Sequence, residues 1–276
     1  MDAATVVGVL LWTSVLLVAG ICAFVRAAVN EHRLPANKVI AWETSWQDFG
    51  FCLWLFFTFY FLSTVGGSFI GELLPDEFSM LPIMLMVPCA VILCVLIGNH
   101  YARVKFFGTL NSEKHSPPKL AWLGFENFLV SIVPLFCVQM GMLALLAAWK
   151  YFGVDTNFPQ QNVVELLMKM EHPLALGLFA FSVVVLAPLS EELFFRGVLY
   201  RFLKGKFGAT AALVVSGVLF GLIHFNFLGF LGLTTIGLML AWSYERSGNI
   251  AVPMFLHASF NANSVAVMLL FGPTPL

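Results

Sequence analysis

Apolar runs of about twenty residues, broken by short polar stretches, recur along the whole chain. A helix that crosses a bilayer needs about 20 mainly apolar residues, and about eight runs meet that length. They lie near Thr5–Phe24, Phe49–Ile70, Leu81–Ile97, Trp122–Ala148, Leu174–Leu203, Ala209–Phe225, Phe227–Trp242 and Asn249–Phe271. The fifth is too long for one simple crossing. It reads as a span that continues past Pro188 into an amphipathic cytosolic half, with Arg201 and Lys204 snorkelling to the interface. The seventh is short, and Phe225–Phe230 leaves little room for a loop. Two small-xxx-small patterns, Gly67/Gly71 and Gly217/Gly221, allow helices to approach closely. The second pattern is favoured as a packing site because it stands beside His224.

Composition supports the membrane reading. The 276 residues are 60% hydrophobic and 11% charged, with mean hydropathy +0.90 and with 29 Phe and 7 Trp. Average soluble domains carry about a quarter charged residues. A net charge of −1 gives no reason to expect nucleic acid as a partner. The five cysteines fall in apolar runs without metal-like spacing and read as packing residues. The first apolar run lacks a basic leader and reads as a retained span.

Loop charge then sets an orientation. Arg26, Arg33 and Lys38 fall in one connection, Arg103, Lys105, Lys114 and Lys119 in another, and Arg201, Lys204 and Lys206 surround Gly205. The intervening 71–79 loop holds only Glu72, Asp76 and Glu77, and the 149–173 loop is mixed. Alternate loops are thus basic, which places them in the cytosol and both termini outside it.

Ionisable residues at membrane depth are costly and mark a pair, a pathway or a site. Three segments in the last third carry them: Glu191, Glu192 and Arg196; Phe220 and His224; and His257, Asn261, Asn263 and Ser264. Glu192 and Arg196 are four apart and share a helix face, whereas Glu191 is turned roughly 100° away. Glu192–Arg196 is therefore expected to be largely structural and Glu191 to be the working carboxylate. His257 and Asn261 share a face in the same way, and Phe220 walls His224 from one turn below. Counted from the proposed cytosolic helix ends, Glu191, His224 and His257 lie roughly 18, 22 and 12 Å deep. Each element alone is more often a packing or anchoring feature than a catalytic one. Their convergence at a similar depth is what points to a site.

These motifs, Glu191-Glu192-Leu193-Phe194-Phe195-Arg196, Phe220 to His224 and His257 to Asn261, resemble those of a known family. It is the CAAX prenyl protease type 2 and bacteriocin-processing family of intramembrane proteases, also called the Abi family. The resemblance covers about 174–270. It implies an all-α, polytopic membrane protein of about eight transmembrane helices with a conical catalytic helix bundle in the C-terminal half. Residues 1–120 would be scaffold and 121–276 the protease core. It also implies an endopeptidase in the bilayer, open to the cytosolic side, acting on membrane-bound peptides or proteins, prenylated in eukaryotic relatives. Carried over to this chain, Glu191 would activate a water and His224 would help position it. His257 and Asn261 would stabilise the oxyanion, with Glu192, Arg196 and Phe220 in support.

Two forms of that chemistry stay open. Glu191, His224 and His257 could hold zinc with a fourth position for water, or Glu191 could act without metal. The metal-free form is favoured because no two of these ligands show the spacing of a His-Glu-x-x-His helix. Two rival functions are an ion-coupled transporter that uses the same polar cluster as a proton relay, and a catalytically silent membrane scaffold. The chain shows no convincing internal repeat of the kind common in transporters.

Overall fold

The computed structural model describes residues 3–30, 38–101, 114–153 and 170–272. Among the described residues the protein is helical, with no strand. The helices are α1 (Ala3–Asn30), α2 (Trp46–Gly71), α3 (Leu81–Tyr101) and α4 (Pro117–Tyr151), then a rod over 173–207 (α5), α6 over 209–222, α7 (Phe230–Ser247) and α8 (Ala251–Phe271). A short 3₁₀ turn, Asp76–Phe78, joins α2 to α3.

Local chemistry sets these boundaries. Ser45 caps α2 by accepting from the Asp48 amide, and the Asp48 carboxylate lies in the first turn where the helix dipole favours it. α4 opens on Pro117, whose fixed φ suits a first helical position. Gly208 takes φ 84°, a conformation a side chain would resist, and breaks the run from 173 to 222 into α5 and α6.

α2 pairs with α3, α6 with α7, and α1 and α8 with α4. α5 runs through the middle and touches α3, α7 and α8. Six stretches, Pro173–Leu222 counted as one, are long and apolar enough to cross a membrane; α7 is outside that set. The outer faces of α1 and α2 present Leu10, Leu11, Val15, Phe57, Phe61 and Leu62 openly. A water-facing surface rarely exposes so much contiguous apolar area, and a lipid-facing one requires it.

The structure corrects the reading of the fifth run. The amphipathic second half of α5 turns its polar side into the protein: Glu192, Arg196, Tyr200, Arg201 and Phe202 are all buried. Residues 38–45 lie across it as a strap. The Trp42 amide donates to the Arg201 carbonyl at 3.0 Å, and Arg201 Nε donates to the Ile40 carbonyl at 2.9 Å. Lys204 Nζ reaches the Val39 carbonyl and both Glu245 oxygens, at 2.7, 2.7 and 2.9 Å. Arg201 and Lys204 therefore do not snorkel. Their polar ends are satisfied inside the protein, which removes the reason to seek water. Of the basic residues used for orientation, Arg33, Arg103 and Lys105 lie outside the described residues, as does most of the 149–173 loop.

Candidate active site

The centre of α5 departs from regular α-helix on both sides of the glutamates. Ser182–Leu186 and Leu193–Tyr200 wind as π-helix, with Ala187–Glu192 as α-helix between them. π turns close through i→i+5 bonds and are frequent at functional sites. Arg196 Nη1 meets Glu192 Oε1, four residues back, at 3.0 Å with both side chains fully buried.

The second guanidinium arm, Nη2, donates to the Gly237 carbonyl of α7 at 2.8 Å. That carbonyl is reachable because α6 and α7 cross closely. A side-chain carbon at Gly237 would lie 2.7 Å from the Gly217 carbonyl oxygen, and one at Gly217 would lie 2.7 Å from Leu238. Gly217 and Gly221 therefore act as packing positions, as the small-xxx-small pattern predicts. The same holds for Gly67, where an added carbon would fall 2.8 Å from Ile83 Cα.

Glu192 does more than the expected bracing. Its Oε1 also lies 2.9 Å from His257 Nδ1 on α8. A carboxylate can only accept, so the ring donates from Nδ1 and turns Nε2 the other way. Nε2 then stands 3.9 Å from Glu191 Oε2. That oxygen is buried without a hydrogen-bond partner among the described residues, while the Glu191 side chain as a whole keeps 28% of its surface open. The two glutamates are split as helix geometry predicts, one held by Arg196 and one left available.

Phe220 is the common wall. The Arg196 guanidinium carbon sits 5.0 Å over its ring, and the His224 and His257 rings lie 4.9 and 5.6 Å from it. His224 hydrogen-bonds the Phe220 carbonyl at 2.7 Å through Nδ1; a carbonyl accepts, so Nε2 is left as the acceptor. Asn261 Nδ2 donates to the Val183 carbonyl, inside the first π stretch, at 2.8 Å. One of its amide hydrogens is thus committed to α5. The nearby hydroxyls are committed as well: Ser190, Ser259 and Ser264 each donate to a carbonyl three or four residues back. Asn263, grouped with the site by sequence, instead accepts from the Trp12 indole at 3.0 Å and ties α1 to α8.

The residues of one network are therefore Glu191, Glu192, Arg196, Phe220 and His257. His224 is linked to it through Phe220, whereas Asn261 bonds α8 to α5 at the Val183 carbonyl, outside that network. Sequence reasoning missed the Gly237 and Val183 carbonyls, because backbone acceptors carry no residue-type signal. As for zinc, no three His, Cys, Asp or Glu side chains among the described residues converge as a ligand set. Glu191 and His257 offer two donors, one short of the three protein ligands of a catalytic zinc.

Fold and site together define a multi-pass helical membrane protein whose bundle encloses a buried carboxylate–histidine cluster. Residues 173–263, the segment that carries all three motifs, match the model of the family described as type II CAAX prenyl endopeptidase Rce1-like, the family they resemble. Two curated relatives match part of the chain. One, from Bacillus subtilis (strain 168), is named "Putative membrane peptidase YdiL" and is 32% identical over 85 residues, 31% of this chain and 35% of that protein. The other, from Lactococcus lactis subsp. lactis (strain IL1403), is named "UPF0177 protein YxdF" and is 31% identical over 78 residues, 28% of this chain and 42% of that protein. The chain thus matches about a third to two fifths of these relatives' length. No solved structure gives a significant match.

Proposed function

We propose that this protein is a membrane-embedded endopeptidase in which Glu191 activates water against a peptide bond. One observation carries the reading. The buried Glu191 Oε2 has no hydrogen-bond partner among the described residues and lies 3.9 Å from His257 Nε2. That separation exceeds a direct hydrogen bond, yet one water oxygen can bond to both atoms.

Amide hydrolysis needs a base, a held water and a donor near the oxygen of the tetrahedral intermediate. In the proposed reaction Glu191 takes the proton as the water oxygen bonds to the scissile carbonyl carbon. It returns that proton to the departing amine as the C–N bond breaks. His224 Nε2 helps orient the water. His257, which donates through Nε2 only as an imidazolium because Nδ1 already donates to Glu192, faces the developing oxyanion with the remaining Asn261 N–H. Glu192 and Arg196 hold His257 and the helices in register. Every step uses the chain's own groups.

The printed names of the family and of the Bacillus relative both point to peptide hydrolysis. On that basis substrates are membrane-associated peptides or proteins, with prenylation the first modification to try. The site opens to the cytosolic side in the orientation given by loop charge. Residues 1–120 serve as scaffold and 121–276 as protease core.

The test is cleavage of a lipidated peptide panel by reconstituted full-length protein, wild type against Glu191→Gln, each with and without chelator. Removal of a general base is expected to cost about 10²–10⁴-fold in rate with the fold retained. Equal cleavage by Glu191→Gln would rule this mechanism out, and solute movement without any cleavage would favour the transporter.

A further inference from the structure

Pro188 stands in the middle of α5, fully buried, one turn before the adjacent glutamates. A proline has no N–H to give to a helix. The turn before it, Ser182–Leu186, winds as π-helix, so its backbone bonds run from one residue to the fifth along. The Ala187 N–H accordingly donates to the Ser182 carbonyl. The Val183 carbonyl comes next in line. It would take the N–H of residue 187 in an α-helix and that of residue 188 in a π-helix. The first is already given to Ser182, and the second does not exist.

Residues 173–222 form one of the stretches apolar enough to cross a membrane, where no bulk water replaces a lost donor and an unpaired carbonyl is costly. The donor comes instead from α8, whose Asn261 Nδ2 lies 2.8 Å from the Val183 oxygen. A carbonyl only accepts, so the nitrogen of the side-chain amide, and not its Oδ1, must face α5. The amide is planar, and one bonded hydrogen therefore sets the direction of both the second N–H and Oδ1.

We propose that Pro188 is a positioning residue: by withholding one N–H it leaves the Val183 carbonyl to Asn261 and so fixes the direction of the Asn261 amide. His257, four residues earlier on α8, is held by α5 in a parallel way, through Nδ1 on Glu192. α5 thus orients both residues that the proposed mechanism sets at the oxyanion. One is held by a carboxylate, the other by a carbonyl that a proline has left open. The use of this orientation in catalysis rests on the protease reading; the coupling of Pro188 to Asn261 does not.

A cycle of full-length variants tests this: Pro188→Ala, Asn261→Ala and the two together. Pro188→Ala gives the Val183 carbonyl a main-chain donor, which draws it back along α5 and lets the Asn261 amide turn. Cleavage of the lipidated peptide panel should then show kcat lowered by up to about 10²-fold with KM kept, since only the alignment of a transition-state donor is lost. Asn261→Ala alone should lower the melting temperature of the detergent-solubilised protein, because the Val183 carbonyl loses its side-chain donor. Made together with Pro188→Ala, the same change should lower it far less. Equal losses of melting temperature in the two backgrounds overturn the proposal, and so does wild-type kcat for Pro188→Ala, which would leave the proline a packing residue. A double variant that folds no better than Asn261→Ala overturns it as well. Should Pro188→Ala not fold, Pro188→Val restores the same N–H with a larger side chain and carries the same comparisons. If wild type cleaves no peptide, the protease reading fails, and the melting comparison still decides the coupling.

Discussion

One oxygen atom, Glu192 Oε1, serves both Arg196 and His257, and that shared use divides the labour of the adjacent glutamates. Glu192→Gln removes the charge from a fully buried pair and leaves Arg196 uncompensated. Breaking such a pair from one side costs about 3–5 kcal/mol, to be read as a fall in the melting temperature of the detergent-solubilised protein. Glu192 is also a positioning residue in the proposed mechanism. The same variant should therefore lower kcat with KM kept and displace the pH–rate profile, because His257 exchanges a charged acceptor for the weaker, neutral amide oxygen of Gln. A variant that is less stable but has wild-type kcat and pH profile would leave Glu192 as a brace alone. Glu191→Gln should do the reverse, with activity lost and the melting temperature near that of wild type.

The crossing of α6 and α7 controls the site from a distance. Gly237→Ala would push a methyl carbon to within 2.7 Å of the Gly217 carbonyl and 3.0 Å of Phe220 Cβ. Overpacking of this kind typically costs about 1–3 kcal/mol. It should also draw the Gly237 carbonyl away from Arg196. Thermal melts should show the loss, and a compensating Leu238→Ala should not restore it, since the clash is with backbone. Much of this was legible in the sequence. The four-residue spacings of Glu192/Arg196 and His257/Asn261 and the glycines before His224 follow from helical periodicity. The Glu192–His257 bond did not, because its partners are 65 residues apart and pattern along a helix says nothing of which helix faces it. The buried second half of α5 was misread for the same reason. Its charges look solvated until Val39, Ile40 and Glu245 are brought beside them.

Across the whole molecule, the strap joins the first third of the chain to the last. Val39, Trp42, Tyr200, Arg201, Lys204 and Glu245 form one buried polar assembly, and the rings of Phe49 and Phe202 stack beneath it at 3.7 Å. Lys204→Met is expected to destabilise the protein by about 3–5 kcal/mol, since Glu245 stays buried without its cation. Limited proteolysis should then cut near Lys38, where wild type resists. Residues 38–45, from the segment proposed as scaffold, pack against the segment proposed as protease core. This has a consequence for synthesis. The Val39 amide bonds to a carboxylate 206 residues further along the chain. At about 5–20 residues per second, a ribosome needs roughly 10–40 s to supply that partner. For that interval the Val39 amide waits without this partner, so the core closes over the strap only after α1 to α6 and most of α7 have been made.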